Sequence, residues 1–349
     1  MSEPAAPAAA PLPPAANPAL YGHAAAEAIL AGALAGGRLH HAWLLSGPSG
    51  VGKATLAYRF ARRLLAMRDP AVAATPGLFV DPAHPVFRRI AAGAHADLRT
   101  LARGTDPKTK RPRSEIVVDD VRAAASFLRL TPGEGGWRVL VVDRVDEMNR
   151  NAANALLKLL EEPPARAVLL LVCDAPGRVL PTLRSRCRRL ALAPLDDAAM
   201  AAALRMLLPD MDERARAALP AIAGGAPGRA LLLAQEEGLR LAGLVDRTMA
   251  ALPRAAPAEA YAVADSLGRG EQAFELFVDL LRARLATLAR AALGRDGDAP
   301  TRRMAAFHPA TGWAEAWQRV GQIQFETLRL NLDRTQAVAS VFDALRAAS

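Results

Sequence analysis

Only two of the 349 residues are cysteine, Cys173 and Cys187. That number excludes a disulfide framework and a four-cysteine zinc site. Aromatic residues are sparse at 5%, so a core has to be built mostly from Leu, Val and Ala, which the 52% hydrophobic content can supply. No apolar run reaches the ~18 residues that a membrane-spanning helix needs. The start, Met1-Ser2-Glu3-Pro4, has no basic segment leading into an apolar one, so neither a membrane span nor a secretory signal is expected. Acidic residues are the minority, 35 against 44 Lys and Arg, for a formal charge of +9. The excess points to an anionic partner. These absences leave a cytoplasmic, multi-domain, helix-rich protein.

Proline is plentiful, at 26 residues. Residues 1–18 are almost entirely Ala and Pro, with too little large apolar surface to offset the entropy of ordering, so a disordered tail is expected there. From Tyr21 the pattern changes. Glu27, Ile29, Leu30 and Leu34 share a helix that stops at Gly36-Gly37. Ala42–Ser46, Val139–Val142, Val168–Val172 and Leu190–Leu192 are short apolar runs bounded by turn residues, as buried strands are. Helical spacing fills Thr55–Met67 and Asn151–Glu161, the latter stopped by Pro163-Pro164. Strands alternating with helices predict a parallel sheet with helical crossovers. After Pro194 only helical patterns remain. The predicted division is an α/β domain over 19–193, a small helical module over 194–241 and an all-α domain over 242–349.

Gly47-Pro48-Ser49-Gly50-Val51-Gly52-Lys53 stands between a predicted strand and a predicted helix. The spacing is that of a phosphate loop, in which Gly47, Gly50 and Gly52 let backbone N–H groups curl around phosphates and Lys53 reaches the terminal ones. The residue after the lysine, normally a Mg²⁺-ligating Ser or Thr, is Ala54. Thr55 follows one residue late, about 100° further round the helix. Val139-Leu140-Val141-Val142-Asp143 is an apolar strand ending in an acid, which suits Asp143 to hold Mg²⁺ through water. The next position is Arg144, and a guanidinium cannot act as a base. Asp146 and Glu147 read as caps of the following helix. No metal-ligand set stands out, and His40 and His41 lack partners at ligand spacing. Lys108, Lys110, Arg111 and Arg113 form a basic run that reads as a solvated loop, with DNA phosphates as its alternative. Trp313 and Trp317 are four apart on a helix and read as packing residues.

Three segments together resemble the clamp-loader branch of AAA+ proteins, and within it the delta-prime family of the bacterial DNA polymerase III loader. They are Leu39-His40-His41-Ala42-Trp43, the run Asn154-Ala155-Leu156-Leu157-Lys158-Leu159-Leu160-Glu161-Glu162-Pro163-Pro164, and Leu180-Pro181-Thr182-Leu183-Arg184-Ser185-Arg186-Cys187. Asn331-Leu332-Asp333-Arg334 extends the similarity toward the C-terminus. The resemblance implies an AAA+ P-loop domain, a helical lid and a C-terminal collar. It also implies a hetero-pentamer with gamma/tau motor and delta subunits that places a sliding clamp on primed DNA. Family members of this type are stators that offer the Ser-Arg-Cys arginine to a neighbour's ATP. On the residues alone Arg184, Arg186, Arg188 and Arg189 read as a basic strand edge; the resemblance selects Arg186 as a trans arginine finger. Lys158 is a further candidate for the DNA-facing chamber. Relatives carry a cysteine zinc module where Met67–Arg103 has none, so no zinc is expected. In the lid motif Gly228 stands at the position of a sensor arginine, with Arg229 one residue away. The strand Val168–Val172, where such enzymes carry a polar sensor, runs into Cys173, so Ala54, Arg144, Cys173 and Gly228 depart from an active ATPase at four places. The expectation is a non-hydrolysing stator with a degenerate nucleotide site made of Gly47, Gly50, Gly52, Lys53, Thr55 and Asp143. The alternatives are ATP held without turnover, and an active ATPase motor.

Overall fold

The apolar runs of the sequence are adjacent strands in space. The computed structural model describes residues 12–37, 39–106, 110, 113–252, 257–268, 271–294 and 299–347. Contacts divide the chain into two units. One comprises Ala9–Pro209 with Gly225–Arg229; the other is built from Asp210–Gly224 and Ala230–Ser349.

In the first unit the order is α1 (Ala24–Ala35), β1 (Ala42–Ser46), α2 (Lys53–Ala66), α3 (Pro70–Ala74), α4 (Pro85–Ala91), β2 (Leu98–Leu101), α5 (Val118–Arg129), β3 (Arg138–Val142), α6 (Arg150–Glu161), β4 (Ala167–Cys173), α7 (Pro181–Ser185), β5 (Arg188–Ala191) and α8 (Asp197–Leu207). The strands form one parallel sheet in the order β2-β3-β4-β1-β5. The three central strands are buried almost throughout, which is why they read as continuous apolar runs rather than alternating ones. Leu44, Leu140, Val142, Leu169 and Leu171 pack with Val121 and Leu128 of α5 and Leu156 of α6. Trp43 meets Phe60 of α2, ring centroids 6.5 Å apart. Both edge strands carry exposed arginine, Arg99 on β2 and Arg188 and Arg189 on β5, a composition that discourages edge-to-edge pairing. That polarity hid β2 from the sequence pattern.

The expectation of a disordered tail over 1–18 fails for its second part. Residues 1–11 lie outside the described ones, but Pro13–Pro18 is held against α2 by hydrogen bonds to its own main chain. Arg62 donates to the Ala15 carbonyl at 3.1 Å and the Asn17 carbonyl at 2.8 Å, and Arg59 donates to the Pro18 carbonyl at 2.8 Å. The stretch Met67–Arg103 folds as α3, α4 and β2 around buried Leu78, Val80, Val86, Phe87 and Ile90.

The remaining helices are α9 (Glu213–Ala223), α10 (Pro227–Leu233), α11 (Glu236–Ala251), α12 (Pro257–Leu267), α13 (Glu271–Ala292), α14 (Ala299–Ala305), α15 (Ala310–Leu330) and α16 (Arg334–Arg346). In the second unit α13 packs along α15, with Phe274, Phe277, Leu281, Trp313, Val320 and Phe342 buried. Trp313 donates its indole N–H to the Ala305 carbonyl at 3.1 Å, whereas Trp317 is half-exposed beneath the Arg282 guanidinium. Among the described residues no helix is long and apolar enough to cross a membrane.

Candidate functional site

The carboxyl ends of β1, β3 and β4 meet at one edge of the sheet, where open α/β folds place their ligands. The loop after β1 carries Gly47–Lys53. Gly52 holds φ at 112° and caps α2 with no side chain, which only glycine does without strain. At Gly50 a Cβ would lie 2.7 Å from the Arg229 backbone nitrogen. That closeness is used: the Gly228 N–H donates to the Gly50 carbonyl at 2.8 Å. The residue at the expected sensor position therefore seats on the Gly47–Lys53 loop through its backbone.

Lys53 is buried at 3% exposure. Its ammonium donates to the carbonyls of Gly47 at 2.7 Å and Pro48 at 2.6 Å, and pairs with Asp174 Oδ1 at 2.6 Å. An ammonium has three N–H groups, so these partners engage all of them. Thr55 sits half-buried one residue further along α2 than the pattern's hydroxyl. Gly47, Gly50, Gly52 and Lys53 are thus brought together with one another, but around the lysine's own loop carbonyls.

Asp143 directly follows β3 and donates its N–H to the Leu101 carbonyl. Burial pushes its carboxyl above the usual carboxylate range, with Arg144 and Lys53 opposing and Asp174 and Asp146 reinforcing. Arg144 takes a left-handed backbone, φ 58°, and reaches Glu147 at 2.9 Å and Asp174 at 3.5 Å. Glu147 also accepts from Arg103 at 3.0 Å. Lys53, Asp174, Arg144, Glu147 and Arg103 therefore form a run of alternating charges. Asp146 and Glu147 are not helix caps, as the sequence suggested. Asn149 caps α6 by accepting from the Ala152 N–H at 2.9 Å. Asp146, 8% exposed, accepts instead from the N–H groups of Asp174 at 3.0 Å and Ala175 at 3.1 Å, which fixes the turn after β4. A carboxylate engaged in this way is not free to activate water. Burial also pushes the neighbouring Cys173 thiol up, so it stays protonated and unreactive. The residue that sequence reasoning missed is Asp174. No local sequence signal marks it: it directly follows Cys173, and only the pairing of β4 with β1 sets Cys173 beside Ser46 just before the loop.

A carboxylate whose pKa rises on folding binds protons more tightly in the folded chain, so its charge opposes folding above that raised value and the penalty vanishes below the unfolded one. Asp143→Asn is therefore expected to raise stability at pH 7, with the gain fading as pH falls toward 4. Thermal melts across that pH range check it.

Arg186 lies elsewhere in the same unit, just after α7. Leu183 anchors α7 in the core, and the Cys187 thiol, pushed up to about 12 by burial, donates to the Leu183 carbonyl at 3.3 Å. Between these buried residues Arg186 faces outward at 38% side-chain exposure, with Nη2 2.8 Å from Glu161 Oε1 and Nη1 3.0 Å from the Thr182 carbonyl. Arg188 lies over the Trp43 ring at 4.8 Å, a packing role. Of the basic run, Lys108 and Arg111 fall outside the described residues. Arg113 pairs with Asp120 at 3.1 Å, and Lys158 is exposed on α6. The rings of His40 and His41 stack 4.5 Å apart.

Comparison with known proteins yields consistent matches. Residues 22–196 match the family model described as DNA polymerase III, delta subunit. The chain is 40% identical over 195 residues to the DNA polymerase III subunit delta' of Pseudomonas aeruginosa, covering 55% of this chain and 56% of that one. It is 34% identical over 200 residues to the delta' subunit of Escherichia coli, covering 57% and 56%. The tau subunit of Salmonella typhimurium is 35% identical over 167 residues, 48% of this chain and 24% of that one. The matches to the two delta' subunits thus span little more than half of their length.

Proposed function

Because the chain belongs to the DNA polymerase III delta-subunit family, we propose that it is a delta-prime-type subunit of the clamp loader and acts as a stator that does not hydrolyse ATP. It works in the cytoplasm within a hetero-pentamer beside gamma/tau motor and delta subunits. Through that complex it helps place the sliding clamp on primed DNA. Its three parts are the P-loop domain over 19–193, the lid over 194–241 and the collar over 242–349. It carries no zinc, and Arg186 serves a neighbour's ATP in trans.

One observation carries the non-hydrolysing half of this reading. Lys53 is satisfied internally by Gly47, Pro48 and Asp174, so a phosphate would have to displace contacts that are already charge-assisted and buried. Arg144 in place of a base and Asp146 committed to backbone N–H groups support it. For the second half, the support is the outward placement of Arg186 between buried anchors.

The test is equilibrium binding of labelled ATP to the isolated chain, with hydrolysis followed in parallel. No saturable binding and no turnover are expected. Saturable binding without turnover would make the nucleotide a fixed structural ligand. Turnover that disappears in Lys53→Ala would establish the motor reading instead.

A further inference from the structure

The two segments that carry the sequence resemblance meet at a single ion pair. Glu161 is the last residue of α6, held at that position because Pro163-Pro164 cannot continue the helix. Arg186 follows α7, whose packing against α6 is fixed by buried Leu183 and Cys187 on one side and Leu156, Leu159 and Leu160 on the other. Arg186 Nη2 lies 2.8 Å from Glu161 Oε1, while Nη1 donates to the Thr182 carbonyl at 3.0 Å.

Stability does not explain this arrangement. Both side chains are well exposed, at 38% and 44%, and a pair so wetted adds little to folding. A carboxylate at a helix C-terminus is moreover opposed by the helix dipole, so Glu161 stands at a poor place for an acid unless its partner is the reason. What the pair does is geometric. Arg186 has several rotatable bonds and a planar fork. Fixing one nitrogen on Thr182 and another on Glu161 sets both the direction and the plane of that fork.

We infer that Glu161 is a positioning residue for Arg186: it holds the guanidinium in the orientation in which it is offered to the neighbouring subunit's phosphate. The inference rests on the trans role of Arg186 stated above. A misdirected fork costs transition-state contact while leaving the neighbour's ATP pocket intact, so the effect falls on kcat rather than KM.

The experiment uses the reconstituted loader, with its clamp and primed DNA, and reads single-turnover ATP hydrolysis. Glu161→Ala is expected to slow single-turnover hydrolysis at the ATP site that Arg186 serves by about three- to tenfold, with the affinity for ATP little changed. Glu161→Gln, which keeps an oxygen acceptor for Nη2, should recover about half of the loss. In an Arg186→Ala background, Glu161→Ala should change nothing further. Glu161→Ala with full turnover beside an impaired Arg186→Ala loader would overturn the inference and leave the finger standing. A further loss in the Arg186→Ala background would also overturn it, since Glu161 would then act by another route. An Arg186→Ala loader with unchanged turnover would remove the finger itself.

Discussion

A loader reconstituted with Arg186→Ala is expected to assemble normally and to lose, at the ATP site that the proposed finger would serve, on the order of 10³ in turnover. The magnitude follows from what is removed. A phosphoryl transfer offers the protein little covalent chemistry, so stabilisation of charge on the transferring group is most of what a side chain can give. The Arg186 guanidinium presents a planar fork matched to phosphate oxygens. Arg186→Lys keeps the charge but not the fork, and should recover only part of the rate. Assembly should survive because the side chain is exposed and its pair with Glu161 is worth about 0–1 kcal/mol at most. Melting of the isolated variant is therefore expected to match the unsubstituted chain within experimental error. In the proposed ring the other ATP sites keep turning over, so single-turnover measurement is needed to see the full loss. Steady-state rates will show less. Unchanged single-turnover kinetics would end the finger reading.

The glycine-rich turn before α2, the central strands and the helix before Pro163 were legible because each depends on local pattern. A Gly-x-x-x-x-Gly-Lys spacing, a run such as Val139–Val142 and a Pro-Pro stop all act over fewer than a dozen residues. The charge run through the site was not legible for the opposite reason. Lys53, Arg144 and Asp174 are far apart in sequence, and only the register of β1 against β4 brings the lysine to the acid. A lysine in a phosphate-loop pattern reads as a phosphate ligand until its neighbours are known. Asp146 was misread because two acids ahead of a helix resemble a cap, whereas Asn149 stood closer and took that role. β2 was missed because an edge strand needs only one buried face, and Arg99 and Thr100 break its apolar pattern.

The N-terminal segment was misjudged on a more general ground. Composition measures what side chains can bury, and Ala and Pro bury little; yet Pro13–Pro18 is held by its carbonyls, which composition does not register. The residue that holds it is Arg62, 2% exposed, stacked 4.3 Å over the Phe87 ring and bonded to Ala15 and Asn17. Burial, with Arg59 adding repulsion, lowers its guanidinium to about 10, so it remains charged at neutral pH and needs those carbonyls. Arg62→Met keeps much of the apolar stem but leaves the carbonyls without a donor, and is expected to cost about 2–4 kcal/mol. In a unit of this size that corresponds to roughly 5–15 °C in Tm. Deleting residues 1–18 from the unsubstituted chain removes the acceptors instead and leaves a buried cation unpaired, so it should cost at least as much. The decisive measurement combines the two. If the strap acts through Arg62, deletion in the Arg62→Met chain should cost far less than in the unsubstituted one, because no buried charge is left to strand. Equal costs in both backgrounds would mean that Pro13–Pro18 stabilises α2 by other contacts and that Arg62 is held by Phe87 alone.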